Sequence, residues 1–149
     1  MTALHRLHLR IELEAGLDVR FDLIERTPNT FDAHRLIRWS RSTGQQSILV
    51  HSLFIRYFVN GEDISDRDLL LDSAEAIGMD REVVSDLFDK DADRGLLESE
   101  EKAAREIGVN GVPTFIVANK HVVTGAQPPE LWGKVLEELS EQAQQAAQA

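Results

Sequence analysis

The stretch GVNGVPTFIVANKHVVTGAQPPE, residues 108–130, constrains the fold of this chain more than any other. A glycine-bounded loop carrying Pro113 leads into an apolar run, Thr114 to Ala118. Asn119-Lys120 follow, then a second run, His121 to Thr124, and a Gly/Pro-rich exit. Two apolar runs separated by two residues predict a β-hairpin. A two-residue turn would set Ala118 opposite His121, Val117 opposite Val122, Ile116 opposite Val123 and Phe115 opposite Thr124. Phe115, Val117, Val122 and Thr124 would share one face of this hairpin, and Ile116 and Val123 the other. Both faces are mostly apolar, so helices are expected to cover both.

Elsewhere the period of the apolar residues is mainly helical. Leu4, Leu7 and Ile11 predict a helix over residues 2–15, stopped by Gly16. Leu17, Val19, Phe21 and Leu23 alternate with charged residues, which fits either a strand or an extended connector. Thr27-Pro28-Asn29-Thr30 signals a helix start, with Asn29 or Thr30 as cap. Phe31, Ala33, Leu36, Ile37 and Trp39 form its apolar face, ending near Gly44. Residues 45–59 read as the most apolar helix, whose Ile48, Leu49, Leu53, Phe54, Tyr57 and Phe58 are expected in the core. Ser65 is placed as the cap of the next helix, with Asp66 and Asp68 in its first turn, and Asp80 as the cap of another. A further helix runs to Ile107 and is closed by Gly108. The last begins at Pro128-Pro129-Glu130 and presents Leu131, Trp132, Val135, Leu136 and Leu139.

GVPTFIV, a short hairpin and TGAQPPE together resemble the DsbA-like thioredoxin-fold oxidoreductases, in their FrnE branch. RTPNTFDAHRLIRW, residues 26–39, resembles the start of the helical domain that these proteins insert into the thioredoxin fold. The resemblance implies an α+β, mainly helical chain. Residues 1–107 would be the all-helical insertion and residues 108–149 the ββα C-terminal half of a thioredoxin-like fold, packed as one domain. It also implies a cis Val112–Pro113 bond. Family members begin with a strand, a Cys-X-X-Cys motif and a second strand, and nothing before residue 16 reads that way. The N-terminal βαβ half is therefore expected to be absent.

Composition narrows the chemistry. The chain holds no cysteine, so its own residues supply neither a disulfide nor a thiolate nucleophile. The formal net charge of −10 argues against nucleic-acid binding, which needs clustered cations. Residues 1–60 carry 8 basic and 6 acidic side chains and the remainder 8 and 20, which reads as solvated helix faces. No apolar run suits a signal peptide or a membrane span, so the expected location is cytoplasmic. His5, His8 and Glu12 share a helix face, but two histidines without a committed third ligand read as solvated residues. His34 reads as a partly buried histidine without a catalytic partner. Asp89–Gly95 lacks the ligand order of a calcium loop and reads as a charged turn. Neither a metal nor a cofactor is expected.

In the resembling family the loop at Val112, Pro113 and Thr114 faces the reactive cysteine and grips peptide or thiol substrates. These three residues are thus the expected substrate-binding set, with no catalytic residue beside them. The first functional expectation is a truncated protein of the disulfide oxidoreductase family, inactive in thiol chemistry. The alternatives are a non-catalytic peptide-binding module and, less strongly, a relative of the glutathione-dependent isomerases and kappa-class transferases. The run TFIVA holds no charge or proline to discourage edge pairing, so a homodimer covering Thr114–Ala118 is expected.

Overall fold

A computed structural model describes residues 19–118 and 121–147. The helix expected over residues 2–15, with His5, His8 and Glu12, lies outside them. So do Leu17 and the Asn119-Lys120 pair.

The described chain is mainly helical. A 3₁₀ turn at Phe21–Leu23 precedes α1 (Phe31–Trp39), which a 3₁₀ turn, Ser40–Thr43, extends to Gly44. Next come α2 (Gln46–Phe54), a π-helical turn (Ile55–Val59), α3 (Arg67–Ala76), α4 (Arg81–Asp89) and α5 (Arg94–Glu106). Strands β1 (Thr114–Val117) and β2 (His121–Thr124) pair antiparallel, and α6 (Pro129–Ala147) ends the described chain. The chain divides into two compact units, Met1–Leu97 and Glu98–Ala149. The division falls within α5 rather than at Gly108. Arg94, in the first turn of α5, bonds Asp91 at 2.8 Å and lies over the Phe31 ring, which ties that turn to the first unit.

Among the described residues every buried side chain lies between Ala33 and Phe88. Leu36 of α1, Leu49 and Leu53 of α2, Leu70, Leu71 and Ala74 of α3, and Val84 and Phe88 of α4 form one cluster. The caps that position these helices are local. Asn29 Oδ1 accepts from the Phe31 N–H, and Asp80 Oδ1 accepts from Glu82 and Val83. At α3 the cap is Asp66, which accepts from the Leu69 N–H, not Ser65. Ser65 instead donates its hydroxyl and its N–H to Asp63, because that carboxylate stands two residues before it.

Two expectations about this unit are corrected. The aromatic residues after Leu53 are not core. Phe54 is 57% exposed and stacks on Phe58 at 5.8 Å, and Phe58 meets Phe21 edge-on. Phe54 is still α-helical, one position past the core-facing Leu53; the π-helical turn begins after it, where the Asn60 N–H reaches the Ile55 carbonyl, one residue further than in an α-helix. His34 is exposed rather than partly buried, with Nδ1 2.7 Å from the Thr30 carbonyl.

The buried polar residue on α1 is Arg35, 1% exposed. Its Nε donates to the Ala92 carbonyl at 2.8 Å, Nη2 to the Leu87 carbonyl at 3.0 Å, and Nη1 to Asp32 at 2.8 Å. The guanidinium lies 5.1 Å from the Trp39 ring centroid and 5.3 Å from that of Phe88. Leu87 and Ala92 delimit the C-terminal turn of α4, where Ala92 N–H bonds Leu87 O and Asp91 N–H bonds Phe88 O. This is a Schellman closure with Asp91, at φ +50°, in the position usually held by glycine. Bonding from the Arg94 guanidinium holds the Asp91 carboxyl below the usual carboxylate range.

Two outcomes are expected. Arg35→Ala should cost about 3 kcal/mol in chemical denaturation, because the Ala92 carbonyl loses its guanidinium donor, that of Leu87 one of two, and Asp32 its ion pair. Arg35→Lys should restore less than half of that loss, since a single ammonium cannot reproduce the planar fork. Asp63 reads out in pH. Bonds from Ser65 and then from Arg26 lower its folded-state pKa to about 2, against about 3.9 for a free carboxyl. Its contribution is therefore full above about pH 4 and is lost as the pH falls towards 2. Asp63→Asn should melt a few degrees below the parent at pH 7, and the gap should close across that acid window.

Candidate functional site at the Pro113 loop

The second unit is built from its turns. Gly108, at φ +93°, closes α5, with its N–H on the Arg105 carbonyl and the Val109 N–H on that of Ala104. This again is a Schellman motif, which brings the residue after the glycine over the last turn of the helix. Val109 accordingly stands beside Ala104, and both line an open pocket of about 460 Å³ with Glu101, Arg105, Asn110 and Val112. Glu101 and Arg105 pair on its rim.

The chain then runs through Val112, which is 94% exposed, to a cis Val112–Pro113 peptide. The Thr114 hydroxyl donates to the Gly111 carbonyl at 2.6 Å and holds the loop against the strand that follows. On the other side of Pro113, its carbonyl accepts from the Gly125 N–H at 2.8 Å. Val112, Pro113 and Thr114 thus form one surface loop anchored at both ends.

The hairpin register differs from the expected one by a single residue. Thr114 pairs with Thr124, Phe115 with Val123, Ile116 with Val122 and Val117 with His121. Three residues therefore connect the strands, and the first, Ala118, has φ +52°. A two-residue turn demands positive φ at both central positions, which a lysine resists. A slip of one residue exchanges the faces of a strand. Phe115 and Val117 thus share a face with Val123, and Thr114 and Ile116 with Val122 and Thr124.

Phe115 meets Trp132 of α6 edge-on at 4.8 Å. Along the same helix Val123, Leu131, Val135 and Leu139 border an open groove of about 550 Å³. The opposite face is not covered as expected: Ile116 is 48% and Val122 53% exposed. Leu136, expected on the apolar side of α6, also faces solvent, since it lies beyond the stripe set by Trp132, Val135 and Leu139.

The bond from Gly125 to Pro113 fixes the phase of the ladder. Antiparallel pairs alternate between bonded and non-bonded, so Phe115 and Val117 turn their N–H and C=O towards β2. Thr114 and Ile116 turn theirs to the outer edge. Among the described residues, those backbone groups and the N–H and C=O of Val112 have no hydrogen-bond partner. The edge thus offers a row of donors and acceptors that begins in the loop.

No group of three or more His, Asp or Glu among the described residues is placed to hold a metal ion. No described helix is long and apolar enough to cross a membrane. Sequence reasoning missed the pocket at Ala104 and Val109, although its signal was present: an apolar residue directly after a helix-closing glycine, five positions beyond a small one.

Three findings relate this architecture to known proteins. A probable DsbA oxidoreductase from Streptomyces coelicolor, solved by crystallography, superposes with a TM-score of 0.73 at 26% identity, over 85% of this chain and 55% of that one. The ClpXP adapter protein SpxH of Halalkalibacterium halodurans is 30% identical over 89 residues, which is 55% of this chain and 29% of that protein. The chain thus spans about half, or less, of the length of each. The family model described as the DSBA-like thioredoxin domain matches residues 2–137. The chain belongs to the DSBA-like thioredoxin domain family.

Proposed function

We propose that this chain is a FrnE-branch member whose Pro113 loop and β1 edge bind extended peptide, without thiol chemistry of its own. The observation that carries the reading is the backbone of the exposed Val112, unpartnered among the described residues and continued by Thr114 and Ile116 along β1. An extended peptide laid along this edge would gain main-chain hydrogen bonds regardless of its sequence, the mode of β-strand addition. Each is worth about 1 kcal/mol net, so three to five give weak, reversible binding. Disulfide exchange needs a thiolate, and none of the 149 residues is a cysteine; Met1 and Met79 are the only sulfur-bearing residues. Binding, rather than redox turnover, is what this set of residues supports. A second copy would compete for the same edge. Two β1 strands paired antiparallel about a two-fold axis could set Thr114 of each opposite Ile116 of the other.

The test uses a fluorescein-labelled nonapeptide of Gly, Ser, Thr and Leu, followed by anisotropy, with N-methyl groups placed on alternate residues. One alternation should abolish binding at least tenfold, because it blocks the N–H groups facing the edge, while the other leaves it unchanged. Equal binding of both, or of neither parent nor variant, overturns the reading. A concentration-dependent dimer in sedimentation that excludes the peptide would assign the edge to the second copy instead. The purified 149-residue chain should also give no turnover in insulin reduction. Turnover by material of verified mass would refute the non-redox assignment.

A further inference from the structure

The tripeptide Val-Asn-Gly occurs twice, at Val59–Gly61 and at Val109–Gly111, and the fold holds the two copies differently. Asparagine followed by glycine is the pair most open to one covalent change, because glycine has no Cβ to screen its backbone nitrogen from the preceding side chain. That nitrogen attacks the side-chain amide carbon when the peptide between the two residues can turn. With the same residue before each pair, the surrounding structure decides which one reacts.

Asn60 ends the π-helical turn and is held on both sides. Its N–H donates to the Ile55 carbonyl at 3.0 Å, and the Glu62 N–H donates to that of Arg56 at 2.8 Å. Its side-chain amide donates to the Glu62 carboxylate at 2.8 Å. Gly61 lies between these bonds at φ +70°, with Leu23 so close that a Cβ on the glycine would stand 2.5 Å from the Leu23 Cβ. Turning the Asn60–Gly61 peptide would disrupt this set together. Asn110 is held by nothing comparable. The bond before it joins the Val109 N–H to the Ala104 carbonyl, and the bond after it joins the Thr114 hydroxyl to the Gly111 carbonyl. Among the described residues, neither Asn110 nor the Gly111 N–H has a hydrogen-bond partner. Both residues are exposed, and a Cβ on Gly111 would meet nothing within 4 Å.

We propose that Asn110 is a site of spontaneous covalent modification, converting to isoaspartate or aspartate while Asn60 is spared. The Gly111 nitrogen gives up its proton and bonds to Asn110 Cγ; the Cγ–Nδ2 bond breaks, and ammonia leaves with that proton. Water then opens the resulting five-membered imide. Cleavage at the side-chain carbonyl gives aspartate, and cleavage at the main-chain carbonyl gives isoaspartate, so water enters, ammonia leaves and nothing is oxidised. Asn110 lines the 460 Å³ pocket with Glu101 and Arg105, whose charges cancel. A carboxylate at residue 110 makes that rim acidic and offers Arg105 a second partner. The isoaspartyl form also adds a methylene to the main chain between the closure of α5 and Pro113. The loop ahead of Pro113 is thereby altered with the age of the chain, whatever it binds.

The test follows both pairs in one sample. The full chain is kept folded at neutral pH, sampled over weeks and digested. Mass spectrometry, with fragmentation that separates isoaspartate from aspartate, then compares the peptides holding Asn60 and Asn110. In the folded chain Asn110 should convert at least about tenfold faster, and in denaturant the two rates should converge, because only local opening frees Asn60. Equal rates in the folded chain overturn the proposal, as does an Asn110 that stays intact while the denatured chain converts. Gly111→Ala probes the route. Its Cβ has room, so circular dichroism should stay the same while conversion of Asn110 slows strongly. Unchanged conversion in that variant would overturn the attack by the residue 111 nitrogen. The comparison within the unaltered chain decides the matter even where the variant fails to fold.

Discussion

The helical unit depends on the guanidinium of Arg35. Leu87 and Ala92 present carbonyls at the end of α4, where Leu87 O accepts from the Ala92 N–H and still takes a second donor. Arg35 reaches both from α1 while Trp39 and Phe88 pack beside its charge. A fully buried cation is costly unless its donors are satisfied. Here the carbonyls, Asp32 and, at 3.6 Å, the Asp91 carboxylate surround it. The interaction also selects among packings. Only one placement of α1 against α4 brings a planar fork onto both carbonyls, whereas Leu36 and Val84 could meet in several. Trp39 Nε1–H, bonded to Asp93 at 2.9 Å, repeats the same link one turn further along α1.

The hairpin unit is arranged on a different principle. None of its described residues is buried, and its aromatic contact, Phe115 on Trp132, lies on one face only. What it offers is geometry rather than core. A helix closed by Gly108, a loop pinned at Thr114 and Pro113, and a strand whose outer edge is unpaired among the described residues follow one another within about ten residues. Short local hydrogen bonds hold these parts, so an edge competent for strand addition is set by neighbours in sequence. Its stability still requires packing from α6, because an isolated two-stranded hairpin is marginal in water.

Family membership and this arrangement bear on different questions. The match over residues 2–137 and the superposition on a DsbA oxidoreductase account for the helical unit and the hairpin with its following helix. They leave open what the chain does, because the chemistry of thiol exchange resides in cysteine and this chain has none.

What the sequence determined by itself was local. Hydrophobic period placed the helices between Phe31 and Glu106. Asn29 and Asp80 marked two of their starts, Gly44 and Gly108 two of their ends, and the paired apolar runs announced the hairpin. These are interactions among residues a few positions apart, so composition and spacing carry them. The tertiary structure decided the rest. It buried Arg35, whose satisfying carbonyls lie more than fifty positions away. It left Phe54 on the surface, stacked on Phe58, because α2 turns Leu49 and Leu53 to the core instead. The hairpin shifted by one residue, since register is a contest between turn geometry and face burial, and only the assembled unit shows that α6 takes the face with Phe115.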